Sequence, residues 1–178
     1  MTDMNPLVGG LLNIHRIISR GLIVSIRKCD EYLGKQGIPP GEAVGFSIYV
    51  TSLKWVTHSH HLSEDEIAFP YFKEYLEAPY DHLRDDHKTM ASILEELDQS
   101  LLEIPSSGVG RLREVLGEFE KLWAPHIRIE EENFFCFTNS SDLTEQIRLL
   151  IQSLLDFLSL QDGITIFFGH LIIFVNAK

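Results

Sequence analysis

The stretch HHLSEDEIAFP, residues 60–70, decides how this chain is read. On a helix, His60 and Glu64 stand four residues apart and project from one face. That face also carries Tyr49, Leu53, Val56 and Ile67 at steps of three or four residues. Such a stripe faces a core, so an imidazole and a carboxylate interrupt a seam that ought to be dry. HIRIE, residues 126–130, repeats the arrangement: His126 and Glu130 extend the stripe of Leu112, Val115, Phe119 and Leu122. Two more stripes hold one His each. One is Val8, Leu11, His15, Ile18, Leu22 and Ile26; the other is Leu83, His87, Met90, Leu94, Leu97 and Leu101.

Turn signals cut the chain between these stripes. The first segment covers about residues 6–33 and stops at Gly34, ahead of GKQGIPPG. The second covers about 42–69, with Phe69-Pro70 as its end or a kink, because proline lacks a backbone donor and crowds the preceding turn. The third, about 81–102, follows Pro79, and the fourth, about 111–137, follows the loop IPSSGVG. Pro125 can bend the fourth without moving His126 and Glu130 off the core. A fifth helix is expected over 142–160, capped by Ser141 or Asp142. Long helices on short loops imply an all-α, up-down-up-down four-helix bundle with a fifth C-terminal helix. We assign 1–160 to that domain and 161–178, QDGITIFFGHLIIFVNAK, to an apolar tail. The tail is shorter than the ~20 residues a membrane-spanning helix needs, so it is read as a strand-like or helical segment packed on the bundle, with a partner-binding or membrane-touching segment as the alternative.

Register brings the four histidines together. His15 lies 18 residues before Leu33 and His60 lies 18 after Glu42; His87 lies 15 before Leu102 and His126 lies 15 after Arg111. Residues equally far from a shared loop sit at similar heights in an up-down bundle. Across the other end, His60 lies 9 residues before Phe69 and His87 lies 6 after Asp81, a mismatch of about one turn at ~1.5 Å per residue. Two carboxylates buried beside four imidazoles need a positive charge, and no Lys or Arg stands in these seams. Four His and two Glu suffice for two metal ions, each with two imidazoles, the carboxylates bridging. Open positions remain for water, oxo, hydroxo or dioxygen. Imidazole with carboxylate suits iron ahead of zinc or manganese.

Composition narrows the function classes. The formal charge of −11 speaks against nucleic acid, which needs a concentrated basic surface, and against anionic membranes. Cys29 and Cys136 form no thiolate metal motif and are read as reduced thiols. The N-terminus has no basic region ahead of its apolar stretch, so no signal peptide is read and the expected address is the cytosol.

These motifs resemble the hemerythrin, or HHE cation-binding, family. HHLSEDEIAFP is similar to that family's second-helix signature, HIRIEEENFF to the fourth-helix one, DDHKTM to the third-helix position and NIHRII to the first; together they cover roughly residues 7–137. The resemblance implies metal ligands at His15, His60, Glu64, His87, His126 and Glu130 and a di-iron cofactor with dioxygen or related small molecules as partners. His61 and Asp65 form a rival pair on the more polar stripe of Lys54, Thr57 and Ala68, and are expected at the surface or behind the ligands. His58 and His82 lie off the seams, and His170 in the tail is unassigned. The oxygen-carrying members place a second His four residues after the third-helix one, where this chain has Ala91, and space the fourth-helix pair by five rather than four. The chain looks more like the members with four His and two Glu. Expected functions are sensing, binding or detoxifying iron and oxygen species. Alternatives are a ferroxidase-, peroxidase- or nitric-oxide-reductase-like enzyme, with Tyr49 as a proton donor, and an interaction module with a structural metal.

Overall fold

The first long apolar stripe forms α1 (Pro6–Gly34) in the computed structural model, which describes residues 6–35 and 37–134. Gly37, at φ 144°, turns the chain after α1 and donates its N–H to the Tyr32 carbonyl at 2.8 Å. α2 (Ala43–Ser63) runs without a break into a π-helical turn (Glu64–Ala68) and a final turn, α3 (Phe69–Phe72). α4 is Tyr80–Ser107 and α5 is Gly110–Phe134; among the described residues every element is helical. The expected helix over 142–160, the tail, Cys136 and His170 lie outside the described residues.

Two boundaries differ from the sequence expectation. Phe69-Pro70 does not end the second helix. The chain widens to the π pattern one turn earlier, where the Phe69 N–H reaches back five residues to the Glu64 carbonyl. Pro70 offers no N–H to the next carbonyl, that of Asp65. The Arg84 guanidinium from α4 approaches that oxygen at 3.4 Å instead. π-Turns of this kind often sit at functional sites. Ile104 to Ser107, expected in a loop, prolong α4. The stop is Gly108, whose φ of 74° suits glycine and whose N–H donates to the Ile104 carbonyl at 3.0 Å.

α1 packs on α2 and α5, and α4 packs on the same two, closing a ring. Named pairs set the levels. His15, Ser19 and Asp30 of α1 meet Glu131, Trp123 and Arg113 of α5, the last pair at 2.7 Å. Lys54 of α2 meets Asp98 of α4, while Asp65, at the far end of the same helix, meets His87. Asp86 and Glu96 of α4 meet His126 and Arg111 of α5. In each set, numbers rise on one helix as they fall on its neighbour. α1 and α2 come close at Gly21, where an added Cβ would lie 2.8 Å from the Leu53 Cδ1.

The stripes of α1, α4 and α5 are buried largely as their spacing predicts, including Ile18, Leu22, Leu83, Met90, Leu112, Val115 and Phe119. Tyr49 is a correction. It was counted in the α2 seam but is 40% exposed, and Phe46 and Val50 hold the core positions there. Val44, Ile48 and Trp55 line the outside of α2, so this helix is apolar on both faces and its seam is blurred. The core falls into two parts. A large aliphatic cluster extends from Ile18, Met90 and Trp123 toward the loop before α2, and a smaller aromatic one gathers Phe69, Phe72, Tyr80, Leu83 and Phe134. The histidine and glutamate layer lies between them along every long helix.

Candidate metal centre

His15, His60, Glu64, His87, His126 and Glu130 meet between the two apolar clusters, none more than 6% exposed. Pro125 within α5 leaves His126 and Glu130 fully buried. His15, His60, Glu64 and Glu130 present ligand atoms mutually within 4.8 Å, and so do Glu64, His87, His126 and Glu130. The carboxylates belong to both sets. Glu130 turns one oxygen to His15 Nε2 (3.1 Å) and the other to His126 Nε2 (3.2 Å). Glu64 Oε2 lies 3.4 Å from His60 Nε2 and 3.5 Å from His87 Nε2. Each carboxylate therefore spans the two imidazole pairs.

Outer carboxylates aim the rings. His15 Nδ1 meets Glu131 at 3.0 Å, His87 Nδ1 meets Asp65 at 3.0 Å and His126 Nδ1 meets Asp86 at 3.2 Å. A carboxylate only accepts, so each Nδ1 donates and each Nε2 points a lone pair inward. The consequence is severe for His87 and His126, whose Nε2 atoms face each other at 3.1 Å. Two lone pairs at that distance repel unless a proton or a cation lies between them. His15 Nε2 against a Glu130 oxygen poses the same problem.

The unmet polar atoms point the same way. Seven buried side-chain atoms in this layer lack a hydrogen-bond partner: Nε2 of His15, His60 and His61, and both oxygens of Glu64 and of Glu130. Buried polar atoms are usually paired, and seven unpaired ones gathered in one layer fit a cation. Protonation relieves the layer only in part. Burial and the neighbouring Glu130 charge push the Glu64 carboxyl well up, favouring its neutral form. Burial also pushes Glu130 up, but His126 and His15 outweigh it and leave Glu130 low and ionised. Burial holds His60 and His61 well below 6.5, hence neutral. Burial lowers His126 too, and Glu130 and Asp86 reverse that and raise it.

His61 is not at the surface. Expected at the surface or behind the ligands, it is 5% exposed and forms a further set with His87 and His126. Its ring stacks on His87 at 4.2 Å and 15°, and Phe69 also stacks on His87 at 5.5 Å. Asp65 keeps the expected supporting place. The stripe that seemed polar misled: Thr57 is fully buried, its hydroxyl satisfied by the Leu53 carbonyl. The available signal was the wide seam of a bundle helix, which takes in adjacent residues such as 60 and 61. Trp123 was also missed. It lies 5.7–6.2 Å from the rings of His15, His60, His61 and His126 and donates its Nε1–H to Ser19 at 2.9 Å. His58 and His82 stay outside, and Cys29 is a free thiol pushed up to about 12 by burial.

An all-helical domain with His and Glu converging on a dry central layer is of the cation-binding class. The family described as Hemerythrin HHE cation binding domain matches residues 9–137, and the chain belongs to that family. No curated protein and no solved structure shows a significant match. Among the described residues, no helix is long and apolar enough to cross a membrane.

Proposed function

We propose that this protein is a non-haem di-iron protein that binds, senses or detoxifies iron and oxygen species in the cytosol. One ion rests on His15 and His60 and the other on His87 and His126, with Glu64 and Glu130 shared between them. The observation that carries this reading is the convergence of partnerless buried acceptors, each carboxylate touching both imidazole pairs. Imidazole and carboxylate together suit iron. When bound, such a pair supplies Lewis acidity and reversible redox chemistry toward dioxygen-class small molecules. The chain's own part is to hold the rings in one tautomer through Asp65, Asp86 and Glu131, and to keep water out between two apolar clusters. The cross-helix pairs support an up-down-up-down bundle, and we keep 161–178 as a separate tail, open to a protein partner.

Metal content and optical spectrum of protein purified without chelator test the reading, alongside a His60→Ala, His126→Ala variant. About two irons per chain, lost in the variant, are expected from this ligand count. No iron, or iron unaffected by the substitutions, rules it out. The enzyme alternative needs a proton donor near the centre, and Tyr49, the seam residue that could have served, stands on the outside of α2. Multiple turnovers with peroxide or ferrous iron would restore it.

A further inference from the structure

The His61 imidazole is the buried donor that the two-His-per-ion arrangement leaves without work. Its Nε2 is among the partnerless buried atoms, and its ligand atom lies within 4.8 Å of those of His87 and His126. It has no place in the set of His15, His60, Glu64 and Glu130. Its ring stacks face to face on His87 at 4.2 Å and 15°.

The adjacent pair reaches both sides of the centre because consecutive helix positions diverge by about 100°. His60 turns toward His15, their centroids 5.1 Å apart, and His61 toward His87 and His126. Leaving an imidazole nitrogen buried and unmet is costly, and the His61 Nε2 has no hydrogen-bond partner. Packing alone does not need the nitrogen, since a phenyl ring would fill the stack beside His87 equally well.

We propose that His61 is a fifth imidazole ligand, so that the two metal positions are unequal. The position at His87 and His126 takes three imidazoles with its share of Glu64 and Glu130. The position at His15 and His60 takes two. A borderline divalent ion such as ferrous iron, which favours imidazole, fills the three-imidazole position first, and the second equivalent binds more weakly. This rests on the di-iron reading above and adds an order of loading to it.

The test is anaerobic ferrous titration by calorimetry, with Mössbauer spectra of the loaded protein, on the wild type, His61→Phe and, as a surface control, His58→Phe. Wild type and His58→Phe should take up two equivalents in two steps, with two distinct iron environments. His61→Phe keeps the ring stack and should weaken the tighter equivalent by about 100-fold or more, because even outer partners of a ligand are worth about 10–100-fold. Its two iron environments should converge. If His61→Phe misfolds by circular dichroism, His61→Gln gives the same readout with a smaller, polar side chain. Unchanged affinities and unchanged iron environments in the His61 variant overturn this inference and leave the di-iron reading standing. A wild type that takes up no iron overturns both.

Discussion

Asp65 shows how much of this centre is decided one atom away from it. Its carboxylate takes the Nδ1–H of His87 at 3.0 Å and so fixes where the other nitrogen points. Asp65→Ala should lower iron affinity by about 10–100-fold while leaving the helix content unchanged; competition with a chelator of known strength measures it. The buried layer also makes a pH signature in the metal-free protein. His60 and His61 have pKa values held below 6.5 by burial. Their contribution is therefore full above about pH 6.5 and is lost as the pH falls and the unfolded chain takes up protons. Glu64, raised above 4.5, works the other way: its contribution is full below about pH 4.5 and drains as the pH rises through its raised value. No pH serves both, whereas a cation lets Glu64 ionise with the imidazoles neutral. Calorimetric melts should show the iron-dependent gain in Tm growing between about pH 5 and pH 7; a gain independent of pH would contradict this assignment of charges. The burial of His15, His60, His87, His126 and both glutamates in one layer was legible because a charged or basic group in an apolar stripe needs a reason. His61 was not, because Thr57 beside it looks polar in sequence yet closes its hydroxyl on its own helix.

The helix that passes through HHLSEDEIAFP is the least ideal element and the most informative. Pro70 deprives the Asp65 carbonyl of a backbone donor, and Arg84 reaches it from α4. Removing Arg84 should therefore cost more with proline at 70 than with alanine there. A double-mutant cycle of Arg84→Ala and Pro70→Ala, read by urea unfolding of the metal-free protein, should give a coupling of about 0.5–1 kcal/mol. Zero coupling would mean that the long contact carries no weight. Both ends of α1 and the starts of α4 and α5 followed from stripe and turn signals, to within a residue or two. The π-turn did not, because its cause is a contact between two helices that no local pattern records. Tyr49 was misplaced for a related reason. With Val44, Ile48 and Trp55 apolar on the outer side, the period of α2 no longer marks which side is in.

At the scale of the molecule, the polar layer separates an aliphatic body from an aromatic end, and it is joined to both by every long helix. A cation bound there acts as a tie across the whole ring of helices. Iron at about 100 times its dissociation constant adds ~2.7 kcal/mol per site to the native state. For a chain of this size that corresponds to about 5–10 °C in Tm for each ion, or about 10–20 °C for the pair. Stripping the metal with chelator and repeating the melt checks the figure, and a drop much smaller than this would mean that the layer is held by protons instead.

The two tryptophans are divided between these environments. Trp55 stands on the surface of α2, half exposed, while Trp123 is 2% exposed and rests against four imidazoles of the centre. Their light emission should therefore carry two separable signals: a red-shifted one that acrylamide quenches, and a blue-shifted one that it does not reach. Ferric iron in the centre should darken only the blue component, leaving Trp55 as an internal reference. The chain thus has a built-in ratiometric gauge of its own occupancy, and Trp55→Phe should leave a protein whose remaining emission falls almost to nothing as the iron goes in.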